Sequence, residues 1–155
     1  QKYCPNTVFE PEITYVSLCN PKQEADRMDR YVSSGFFKSI DVCGGENLQP
    51  FEAFLPLYRK AEQYHLTKRM HVGESGSAED VRRAVEILGL SEVHHGNNAA
   101  ASKEVMRFLA DNKIQLNLSP SSNVMLGYVT DYKETVLFFQ HPDRRQEHRG
   151  LKDLH

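Results

Sequence analysis

The chain has 155 residues, 39% of them apolar and 26% charged, with a net charge of −2 and a pI near 6.4. This balance excludes a disordered chain and offers no basic surplus for binding nucleic acid. It also leaves no apolar run near the roughly 18–20 residues that a membrane helix needs. Three cysteines, Cys4, Cys19 and Cys43, sit far apart and are odd in number. That usage fits a reducing compartment better than a disulfide scaffold, so a cytoplasmic location is expected. Gln1-Lys2-Tyr3-Cys4-Pro5 is not a signal peptide, and a start at Gln rather than Met leads us to expect residues ahead of it.

In chain order, Ile13 to Leu18 is β-branched and aromatic and reads as a strand. Pro21 to Ser33 places Ala25, Met28 and Val32 on one helical face, with Gly35 as a stop. Phe36 to Cys43 reads as a second strand ending at Gly44-Gly45. Phe51 to Tyr64 reads as a helix buried through Phe51, Phe54, Leu55, Tyr58 and Ala61, with Pro56 forcing a late start or a kink. A third strand precedes His71-Val72-Gly73-Glu74. Ser77 and Asp80 then form a capping box for a helix lined by Val81, Ala84, Val85 and Leu88, which Gly89 ends. A short strand through Val93 leads to His94-His95-Gly96. Ser102 caps a helix carrying Val105, Met106 and Leu109, with Asn112 as a left-handed stop. Ile114 to Leu118 alternates as a strand and ends at Ser119-Pro120-Ser121-Ser122-Asn123, a turn-rich run.

About five strand–helix units at this cadence predict an α/β fold with parallel strands. Doubly wound sheets share the cadence. The polar clusters tilt the reading towards a partial (β/α)8 TIM barrel, because all of them follow strand C-termini, the rim that carries chemistry in such barrels. A closed barrel typically takes about 250 residues, so an incomplete one is expected over residues 1–129. Beyond Thr130 the pattern fails: Val136 to Phe139 is apolar, and seven charges fall between His141 and His155. Residues 130–155 are expected to form a divergent polar tail, as a surface helix or a partly disordered end.

His71…Glu74 is the sharpest chemical feature. A strand-end His can bind zinc through a neutral ring nitrogen, and a carboxylate past a flexible Gly can exchange protons with a substrate held there. Taken in isolation, a pair of this kind reads first as a hydrogen-bonded His beside a helix-capping Glu. His95, one βα unit on, can take a proton from a water at the same rim; alone, paired histidines are also ordinary loop residues. Gly44-Gly45 permits close backbone approach to a flat ligand, or only a loop. GxGxxG, GxxxxGK[ST], HExxH, GxSxG and the HxE…PCxxC deaminase signature are all absent from the sequence.

HVGES (71–75), VHHGNNA (93–99) and LNLSPSSNVMLG (116–127), in this order, resemble the HAGE, GHG and CP-x-SN blocks of the adenosine deaminase family of zinc-dependent purine deaminases. IDVCGGE (40–46) is similar to the family's D-L-A-G run. The resemblance implies His71 as a zinc ligand, Glu74 as the proton shuttle to the purine ring nitrogen, His95 as the base for the attacking water, and Gly44 as a backbone contact to the purine. It implies Zn2+ as cofactor, a purine nucleoside as substrate, and hydrolytic deamination of adenosine or a related adenine nucleoside to the inosine product. The chain departs from the family in lacking any HxH pair and any adjacent Asp-Asp pair, which leaves His71 as one zinc ligand of the expected four. Ser119 stands where the family often has Cys, and Gly45 where an acid is common. An incomplete chain with little activity of its own is therefore expected. The alternatives are a non-catalytic module that self-associates through open strand edges, and a barrel amidohydrolase acting on another purine or a nucleotide.

Overall fold

A computed structural model describes residues 6–128 and 131–132. The predicted tail therefore lies outside the described residues, apart from Asp131 and Tyr132. The elements run β1 (Glu12–Val16), α1 (Pro21–Val32), β2 (Ser39–Cys43), α2 (Leu55–Gln63), β3 (Thr67–Val72), α3 (Ala78–Leu88), β4 (Glu92–His95), α4 (Lys103–Asp111), β5 (Gln115–Asn117) and α5 (Pro120–Met125). The strands form one parallel sheet in the order β1-β2-β3-β4-β5. Each strand pairs with its successor, with no reversal of order such as a doubly wound sheet needs at its switch point. The fold is thus an α/β arc of a (β/α)8 barrel, five consecutive strands wide.

Local chemistry explains the boundaries. Asn20 caps α1 by accepting from the Gln23 N–H at 3.1 Å. Ser77 and Asp80 form the expected capping box, Oγ accepting from Asp80 N–H at 3.1 Å and Oδ2 from Ser77 N–H at 2.8 Å. Gly89 ends α3 in the left-handed region at φ 63°. Pro56 is absorbed by a late start: a 3-10 turn over Phe51–Phe54 precedes α2, and the proline falls in the first helical turn, where its missing N–H would have no partner anyway.

Two expectations are corrected. Asn112 has φ −89°, and the left-handed residue is Lys113 at φ 55°. Asn112 instead donates its side-chain amide to the Phe108 carbonyl at 2.8 Å, so it caps α4 through its side chain while the chain turns one residue later. Leu55 is only half-buried, and Leu57 is the fully buried residue in its place. The 3-10 turn advances the helical phase, so the stripe runs Leu57, Tyr58 and Ala61.

The core lies between the sheet and the helices. Ile40, Val42, Met70, Val72 and Val93 point to the helix side and meet Met28, Val32, Leu57, Val81, Ala84 and Leu109. The alternate residues turn to the barrel's inner face and are polar. Arg69 is held by Glu92 through Nε (2.8 Å) and Nη2 (3.2 Å), and by Glu12 (3.0 Å) and Ser39 (2.9 Å) through Nη1. Asn117 donates to Glu92 at 2.9 Å. These five side chains come from the five strands and tie them together below the rim.

Candidate active site

Period-two alternation places Asp41, His71 and His94 together on the inner face, one layer above the Arg69 network. Asp41 is fully buried, and both its carboxylate oxygens lie 2.9 Å from His71 Nδ1. His71 and His94 are register partners in β3 and β4, with ring centroids 4.6 Å apart. Strict alternation would send His95 outward beside Val93. It adopts φ 67° instead, a left-handed backbone that returns its ring to the rim, 5.2 Å from that of His71. There its Nδ1 stands 3.4 Å from Glu74 Oε1 and 3.4 Å from Asn123 Oδ1. Both neighbours present oxygens that can accept, so an Nδ1–H would be met by Glu74 and Asn123. His71, Glu74 and His95 thus meet at one rim.

Gly44, at φ 108°, lines a narrow cleft with His71, Cys43 and Ser17; the cleft has room for about one water, ≈ 10 Å3. A Cβ at Gly44 would come within 2.9 Å of Ser17 Oγ, so only glycine brings the backbone this near. Glu74 and His95 do not line that cleft; His95 is buried and Glu74 part-buried beside it.

The His71 pKa is pulled both ways. Burial is the largest influence and lowers it, but the hydrogen bond to Asp41 and the charges of Asp41, Glu74 and Glu12 leave it raised above 6.5. Asp41 also fixes His71's orientation: with Nδ1 held by a carboxylate, Nε2 is left to ligate, the usual arrangement of a metal-bound histidine. His94 Nε2 is buried without a hydrogen bond, 3.6 Å from Glu12 Oε1. One ligand-capable atom from each of Asp41, His71 and His94 lies within 4.8 Å of the others. Two imidazoles and a carboxylate suit zinc, so the donor set fits such an ion. Sequence reasoning counted only His71 here. The missed signal was the alternation of Ser39, Asp41 and Cys43 with Ile40 and Val42, which sends Asp41 inward. Ser119–Asn123, read as a turn, is the cap and first part of α5, and Asn123 is fully buried beside His95.

Against this geometry stand the known proteins. The adenosine deaminase family model matches residues 21–141, and the chain belongs to that family. It is 41% identical over 119 residues to a Treponema pallidum (strain Nichols) protein named for adenosine/adenine deaminase, covering 77% of this chain and 38% of that one. It is 33% identical over 105 residues to an adenosine deaminase of Clostridium kluyveri, covering 68% and 30%. Among solved structures it superposes on an adenine deaminase from Arthrobacter aurescens with a TM-score of 0.72 at 21% identity, over 81% of this chain and 40% of that one. A Burkholderia ambifaria amidohydrolase with bound Zn superposes at 0.62, also at 21% identity, over 87% and 34%. The chain thus spans between a third and two fifths of the length of most of these proteins. No helix among the described residues is long and apolar enough to cross a membrane.

Proposed function

We propose that this chain carries the acid–base part of a zinc-dependent deaminase site acting on adenosine or adenine in the cytoplasm. The observation that carries the reading is the convergence of His71, Glu74 and His95 on one rim. Zinc would be held by His71 through Nε2, with Asp41 orienting that ring from its Nδ1 side and His94 a further donor at hand, and would supply the Lewis acidity that lets water attack at neutral pH. His95, its Nδ1–H directed at Glu74 and Asn123, has Nε2 free to take the proton of the attacking water. Glu74 protonates the purine ring nitrogen beside the attacked carbon, which draws electron density away from that carbon. The exposed backbone at Gly44 lets the flat purine edge approach. As the C6–N bond breaks, the proton taken by His95 passes to the departing amine, which leaves as ammonia, and Glu74 recovers a proton from the new hydroxyl as the carbonyl forms, so adenosine gives inosine.

The absence of HxH and Asp-Asp pairs, and the share of the relatives' length spanned, support little or no turnover by this chain alone. Ammonia release from adenosine and adenine with added zinc tests this. Turnover that disappears in Glu74→Gln would overturn the inactivity. Chemical-shift mapping with adenosine tests the site itself: changes centred on Gly44, His71, Glu74 and His95 are expected, and changes confined to another face would end the reading.

A second reading, self-association, is favoured by the outer edges of β1 and β5, which no strand among the described residues pairs, and by Val16, 61% exposed at the end of the edge strand β1.

A further inference from the structure

The loop that carries Glu74 is built around a carboxylate from the neighbouring strand–helix unit. Glu46, in the segment after β2, accepts four consecutive backbone N–H groups. Oε2 takes Gly73 (2.9 Å) and Gly76 (3.0 Å), and Oε1 takes Glu74 (2.7 Å) and Ser75 (2.7 Å). An ionised carboxylate has about four lone-pair sites, so this one is saturated. The opposite side of the loop is held by Asn98, whose side-chain amide donates to the carbonyls of Glu74 and Gly76 and whose N–H donates to the Gly73 carbonyl at 2.8 Å. The glycines fit the arrangement: a Cβ at Gly76 would lie 2.5 Å from Glu46 Oε2, and Gly73 has φ 77°.

We propose that Glu46 is a positioning residue. Resting on the deaminase reading above, it fixes the backbone from which Glu74 reaches towards His95 and the purine. Glu46→Gln is nearly isosteric but offers one acceptor oxygen, and its NH2 group would face two N–H donors. Two bonds are lost and two like dipoles are opposed.

Amide hydrogen exchange in the full chain tests the clamp directly. The N–H groups of residues 73–76 are expected to be protected. In Glu46→Gln they should exchange at least about tenfold faster, as the loss of charge-assisted bonds requires, while those of Val93 and Leu109 stay unchanged. Glu46→Asp, which keeps the charge one methylene short, should restore part of the protection. The ring 15N shifts of His95 supply a readout that mere destabilisation would not move. Glu46→Gln should shift them in the wild-type background and leave them unmoved in a Glu74→Gln background. Amides 73–76 exchanging at unprotected rates, or His95 shifts that change equally in both backgrounds, would overturn the proposal. A purine shift map away from the rim would overturn the deaminase reading instead, and leave the exchange result to decide the clamp.

Discussion

Arg69 holds together acids that would otherwise repel across the inner face, and Glu92 shows the balance best. Burial, the largest influence, raises its pKa, but the hydrogen bonds from Arg69 and Asn117 and the charges of Arg69 and His94 leave it below 4.5. A lowered folded-state pKa means the folded state binds that proton less readily than the unfolded chain. Glu92 therefore contributes stability above about pH 4.5, and this is lost as pH falls through the lower folded-state value. Glu92→Gln should flatten the acid limb of a plot of unfolding midpoint against pH; an unchanged slope there would show that Glu92 does not drive it. Arg69→Met, which leaves two carboxylates without their cation, should cost about 3 kcal/mol or more in urea denaturation. In the layer above, His71→Ala removes the residue Asp41 orients. Calorimetric titration with zinc should then show at least about a tenfold loss of affinity, the scale expected when a ligand or its support is removed. Equal affinity in the variant would place the ion elsewhere.

At the scale of elements, the loops after the strands carry the chemistry, and the helices fix where they start. The Ser77–Asp80 capping box begins α3 two residues after the four-amide cradle of Glu46, so helix start and site loop share one geometry. Ser77→Ala should lower stability by about 1 kcal/mol, read from thermal unfolding. After α4 the chain turns at Lys113, a side-chain-bearing residue at φ 55°. Lys113→Gly should stabilise by up to about 1 kcal/mol, because relief of left-handed strain exceeds the added freedom of the unfolded chain; a destabilised variant would mean that the lysine stem packs usefully. Lys113 precedes β5, at the end of that strand opposite the rim, so Lys113→Gly should leave the His95 ring shifts alone.

At the scale of the molecule, five strands form an arc with two edges and a polar inner face. The polar side chains of that face bury one another, Asp41 fully and Ser39 to 1% exposure, whereas Val16 and Leu18, at the rim end of β1, are 61% and 77% exposed. An uncovered strand edge pairs readily with another chain. Sedimentation velocity over a range of concentrations should show reversible self-association that weakens in Val16→Lys. A monomer at every concentration would remove the second reading.

Much of this was legible in the residues themselves. Helical stripes such as Met28–Val32 and Val81–Leu88, the caps at Ser77 and Ser102, and the placing of His71 and His95 at the C-terminal ends of their strands, with Glu74 just beyond one, follow from local periodicity and from side chains that bond their own backbone. What local pattern cannot hold is contact between units 20 to 30 residues apart. Asp41 on His71, Glu46 beneath the Glu74 loop, and the backbone twist that returns His95 to the rim depend on which strands become neighbours. That choice is made when parallel pairing and burial of the helix-facing side chains bring distant segments into register, which only the folded sheet decides.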